Sequence, residues 1–160
     1  MQVFDASSMI YAWDNYPIDQ FPGLWEWMTK QIEDQRLVMP NVAFEEVADK
    51  ITECGKWLEE NDITQIDITN EIVQDAMRIK QLIGVIGDKY HPNGVGENDL
   101  FIIATARANS SELISDERRQ TTLPKEPTKM KIPAVCAMKE VDVFCINFIE
   151  FIKRSGEIFR

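Results

Sequence analysis

Short β-prone runs alternate with stretches of helical spacing along the whole chain, and that alternation restricts the possible folds more than any other feature. The strand candidates are 2–4, 37–39, a piece around Ile66 and Ile68, 112–115 and 143–145. Between them, Ser7 or Ser8 caps a helix through Trp13, and 24–35 places Leu24, Trp27, Met28 and Ile32 at helical intervals. Asn41, a favourable N-cap, opens a helix expected to run to about Glu60. Thr69 caps the next helix, with Ile72, Ala76, Ile79 and Ile83 on one face. Residues 99–109 are apolar nearly all round, which implies a buried helix. Pro133 opens a short helix, and 148–153 form the last one. Strands alternating with helices in this way indicate an α/β layer fold built on a parallel sheet.

One domain accommodates all 160 residues, and 44% apolar content supports a packed core. The net charge of −10 opposes sequence-independent nucleic-acid binding by a uniformly acidic surface. The charge is not uniform, however. Residues 1–99 carry 7 basic and 19 acidic side chains, whereas 118–139 carry six basic residues (Arg118, Arg119, Lys125, Lys129, Lys131, Lys139) and one acid, Glu126. The single histidine, His91, excludes a two-histidine acid–base nuclease and a histidine-rich zinc site; it reads as a loop surface residue. Three cysteines without metal-type spacing suit a reducing compartment. The start MQVFDASSM lacks a signal-peptide pattern, and no apolar run is long enough to span a bilayer, so a soluble cytoplasmic protein is expected. Of the four tryptophans, Trp13 and Trp25 are the two expected at the surface.

Chemistry must then come from carboxylates, hydroxyls or a cysteine. In open parallel sheets the binding crevice lies at the carboxyl ends of the strands. Asp5 follows the first strand and Asp116/Glu117 the fourth, while Glu45/Glu46 and Asp99 lie in early turns of helices that begin at the same edge. Four carboxylate groups with no histidine suit Mg²⁺ or Mn²⁺, which take oxygen ligands, activate water and neutralise charge on a phosphoryl group. Each residue also has a bland reading: Asp99 as a helix cap, Asp5 as a turn residue, Glu45 and Glu46 as solvated charges, Asp116 to Arg119 as a surface cluster. A phosphoaspartate phosphatase would want a second Asp where Ala6 and Ser7 stand. Gly94-Val95-Gly96 follows no strand and is weak as a phosphate cradle, and Cys136 has no local histidine partner.

The ordered set VFDASSMI, NVAFEEV, ENDLFIIATA and ELISDE resembles the PIN-domain family of metal-dependent ribonucleases, many of them toxins of prokaryotic toxin–antitoxin pairs. The tail KIPAVCAMKEVDVFCINFIEFI is similar to one branch of that family. The resemblance implies a three-layer α/β/α sandwich with a short-stranded central parallel sheet, and a Mg²⁺- or Mn²⁺-dependent endoribonuclease. Asp5, Asp99 and Glu117 or Asp116 would hold the metal, and Glu46 would complete the pocket. Ser7, Ser115, Arg118 and Arg119 would lie on the substrate side. The family's last motif puts Glu117 in register rather than Asp116, with Ser115 in place of the usual threonine. The resemblance also implies an RNA substrate, an antitoxin partner and a homodimer. The rivals are a PIN-like binding or regulatory protein without catalysis, and another Mg²⁺-dependent phosphoryl-transfer enzyme.

Overall fold

The computed structural model describes residues 1–160. The strands are β1 (Gln2–Phe4), β2 (Leu37–Pro40), β3 (Thr64–Ile66), β4 (Glu112–Ile114) and β5 (Cys145–Ile146). All pair in parallel, in the order β3-β2-β1-β4-β5. The helices are α1 (Ala6–Asn15), α2 (Pro22–Glu33), α3 (Asn41–Lys50), α4 (Thr52–Glu60), α5 (Asn70–Ile83), α6 (Glu97–Ala108), α7 (Ile132–Cys136) and α8 (Phe148–Ser155). The fold is α/β, a three-layer α/β/α sandwich. No helix is long and apolar enough to cross a membrane.

The chain steps outward from β1 to β2 and β3, then crosses back to add β4 and β5 on the other side of β1. Right-handed crossovers therefore put α1, α2 and α4 on one face and α5–α7 on the other, while α3 packs against both α1 and α6. The direction reverses between β1 and β4, and a crevice opens at such a switch point, outside the carboxyl ends of the strands. Aromatic packing closes the first face: the Phe4 ring meets Phe151 at 5.2 Å and Phe148 at 6.3 Å, and Trp27 meets Phe151 at 5.1 Å. On the opposite face α6 buries Leu100, Ile102, Ile103, Ala104, Thr105 and Ala106 between the sheet and α5, as its all-round apolar sequence requires.

Several boundaries differ from the sequence reading. The helix expected from Asn41 to Glu60 is two helices, broken at Ile51, whose backbone is extended (φ −137°, ψ 90°). The break lets α4 fold back on α3, with Gly55 so close that a Cβ there would sit 2.9 Å from the Ala48 Cα. Asn41 is the first helical residue rather than the cap, and its Oδ1 is buried without a partner. Strand β5 begins at Cys145, not 143, and Val143 N–H is taken by the Cys136 carbonyl instead of a neighbouring strand. Trp25 is a core residue, 3% exposed: its Nε1–H donates to the Tyr16 carbonyl at 2.7 Å and its ring packs edge-on to Trp57 at 4.9 Å. Trp13 is half-buried against it.

Candidate active site

Asp5 is the first residue after β1 and occupies the N-cap position of α1, but its side chain does not cap the helix. It is 2% exposed. Its Oδ2 accepts hydrogen bonds from the Ser7 hydroxyl at 2.6 Å and the Ser115 hydroxyl at 2.9 Å. Those hydroxyls in turn accept from the backbone N–H groups of Asp116 (2.9 Å) and Glu117 (3.3 Å). The ends of β1 and β4 are thus tied together at the switch point, with Oδ1 of Asp5 left without a protein donor. Ser7 and Ser115 position Asp5 as they stand. Burial pushes the Asp5 carboxyl up to about 7; the Ser7 and Ser115 hydrogen bonds oppose this, and the charges of Asp99 and Glu117 add to it.

Asp99 is the third residue of α6, not its first, and its Oδ2 accepts the Gly96 N–H at 2.9 Å. The capping bond therefore uses one oxygen and leaves Oδ1 without a protein donor. Burial raises its carboxyl to about 6; Gly96 opposes the rise, Glu117 and Glu46 reinforce it, and Lys131 counters it. Glu46 sits half-buried on α3 and lines, with Asp99, Gly96, Glu97 and Asn98, an open recess of about 300 Å³. Glu45 is exposed one position away.

The two adjacent acids after β4 point to different surroundings. Asp116 Oδ2 accepts from the Ser8 hydroxyl at 2.7 Å and from Phe148 N–H at 3.1 Å, fastening β4 to α1 and to the start of α8. Burial raises its carboxyl, and these two bonds oppose the rise. Glu117 bears electrostatically on both Asp5 and Asp99, and its Oε2 lies 3.9 Å from Lys131 Nζ. The site therefore gathers Asp5, Glu46, Asp99 and Glu117, and leaves Asp116 as a strut. Arg118 and Arg119 are exposed and line a separate cleft alongside. The Ser8–Asp116 strut was not foreseeable, since nothing local in DASSM tells the inward hydroxyl from its neighbour.

No three His, Cys, Asp or Glu side chains stand close enough together to form a direct ligand cage. The donor chemistry nonetheless fits a hard divalent ion that keeps most of its water. Such an ion needs one or two direct carboxylates, and Asp5 and Asp99 each keep one oxygen unused by the protein. Their mutual repulsion, at buried positions, is what a cation would relieve.

A family model described as a domain of unknown function (DUF4411) matches residues 2–159. The chain belongs to this family. No curated protein matches it. The DUF4411 fold thus has its acids at the crevice that its own topology creates.

Proposed function

We propose that this DUF4411 domain is a Mg²⁺- or Mn²⁺-dependent endoribonuclease of PIN type, the toxin of a toxin–antitoxin pair. The observation that carries the reading is the fully buried Asp5, hung between two serine hydroxyls at the β1/β4 switch point with Asp99 and Glu117 bearing on it. The protein offers this carboxylate two hydroxyl donors and no cation, and the charges that bear on it are acidic. Asp5 and Asp99 would hold the ion, with Glu117 and Glu46 contacting its waters. When bound, the ion supplies charge neutralisation at the phosphoryl group and a water of lowered pKa. Ser7 and Ser115 hold Asp5 Oδ2 and leave its Oδ1 without a protein donor, Gly96 does the same for Asp99, and Glu46 would accept a proton from an attacking water.

The test is an Mn²⁺ titration of the pure protein, followed by a cleavage panel of single-stranded RNA, single-stranded DNA and a small phosphomonoester. Mn²⁺-dependent cutting of RNA alone supports the reading; phosphomonoester turnover would replace it with a phosphatase. The lack of three converging ligands favours a second reading, a catalytically weak PIN-like regulatory protein, which predicts no cleavage of any substrate. The toxin assignment adds growth arrest on expression, relieved by a small antitoxin.

A further inference from the structure

Beside the acidic crevice lies a cleft of about 820 Å³ with no hydrophobic residue in its lining. Its cations are Arg118, Arg119, Lys129 and Lys131, joined by Asn93 and Thr121 among the uncharged polar groups. In a chain of net charge −10 this concentration is exceptional. The remaining surface repels polyanions, so long-range fields would steer them here. The cleft is also built rather than accidental. The Gln120 side chain donates to the Lys129 carbonyl at 3.0 Å and accepts Lys131 N–H at 2.9 Å, holding the two ends of the basic loop together. Val95 N–H bonds the Met130 carbonyl at 2.9 Å, and a Cβ on Gly94 would overlap the Thr128 carbonyl at 1.8 Å, so the 91–95 loop is pressed into the cleft wall. Arg119 is fixed by its Nη2 on the Cys145 carbonyl at 2.7 Å.

We propose that this cleft is a subsite for the phosphate backbone of single-stranded RNA, feeding the strand to the acidic crevice through Lys131. This rests on the nuclease reading only for the identity of the polyanion. Lys131 joins the two regions: it lines the cleft, and its ammonium lies 3.9 Å from Glu117. The guanidinium of Arg118, which pairs with no acid, offers the planar fork that matches a phosphate in two bonds. With no aromatic side chain in the lining, bases cannot stack there, so the subsite reads charge and not sequence.

The experiment is fluorescence anisotropy of a labelled single-stranded RNA against the full chain in EDTA, which prevents metal-dependent cleavage. Wild type is compared with Arg118→Ala/Lys129→Ala and with Lys153→Ala, an exposed lysine on α8 away from the cleft. The double variant is expected to bind at least tenfold more weakly, with a log–log salt slope reduced by about 1.4, the loss of two phosphate contacts on a single strand. Lys153→Ala should bind as wild type does. Equal affinity in wild type and the double variant overturns the subsite, even if Mn²⁺ cleavage is found. Cleft-dependent binding without any Mn²⁺ cleavage keeps the subsite and removes the nuclease. Tighter binding of an oligo-glutamate peptide than of RNA of equal charge, lost in the double variant, would assign the cleft to an acidic partner and overturn the proposal.

Discussion

Replacing Asp5 with Asn removes a charge that the metal-free fold accommodates only with difficulty. The native carboxyl is raised from 3.8 to about 7, so between those values the folded protein holds a proton that the unfolded chain has released. Stability therefore falls as pH rises through this window, the reverse of the usual salt-bridged carboxylate. Linkage over pH 5 to 8 gives a loss of about 2.5 kcal/mol from this one group, or about 5–10 °C in Tm for a chain of this size. At 2% exposure there is little solvent screening to reduce it. Asp5→Asn cannot titrate, so the stability gap between variant and wild type should shift by about 2.5 kcal/mol in the variant's favour from pH 5 to pH 8. Urea denaturation in EDTA, followed by circular dichroism, measures it. Changes in hydrogen bonding to Ser7 and Ser115 add a constant offset that cancels between the two pH values. A gap that stays the same at pH 5 and pH 8 would refute the account of Asp5 as a buried, cation-free carboxylate.

Mn²⁺ at about 100 times its Kd should stabilise the wild type by about 2.7 kcal/mol, seen as a Tm rise of about 5–10 °C. The rise should shrink at pH 5, where Asp5 and Asp99 (about 7 and 6) hold protons that the ion must displace; differential scanning calorimetry at both pH values checks this. Glu117→Gln should weaken Mn²⁺ binding by calorimetric titration with little change in Tm. Asp116→Asn should do the opposite, losing about 1–3 kcal/mol as the charge-assisted bonds from Ser8 and Phe148 weaken. Gly55→Ala should destabilise by about 1–3 kcal/mol, because its Cβ meets the Ala48 backbone at 2.9 Å; a Tm unchanged within a degree would contradict the α3–α4 packing.

Asp5 and Asp99 could be picked out from the chain alone because their positions follow from local rules. One directly follows a strand and the other lies in the first turn of an all-round apolar helix. Topology then carries both to one edge. The choice between Asp116 and Glu117 could not be made that way. Neighbouring residues after a strand diverge, and which one turns inward depends on Ser8 and Phe148, distant in sequence. The α3–α4 break was equally hidden: it falls at Ile51, with no proline or glycine at the turn itself. Gly55 is informative only once Ala48 is known to oppose it. Trp25 misled because its buried N–H needs the Tyr16 carbonyl nine residues away. Net charge was the least informative feature until it was resolved into an acidic crevice and a basic cleft that share Lys131.

Cleavage of a fluorogenic single-stranded RNA by wild type and Asp99→Asn, each in Mn²⁺ and in EDTA, tests the central claim most directly. Losing the ion's contribution of several kcal/mol to the transition state predicts a rate lower by on the order of 100-fold or more in the variant, and no cleavage in EDTA. Thermal unfolding of the variant should stay cooperative. Cleavage that persists in Asp99→Asn, or in EDTA, would contradict the account.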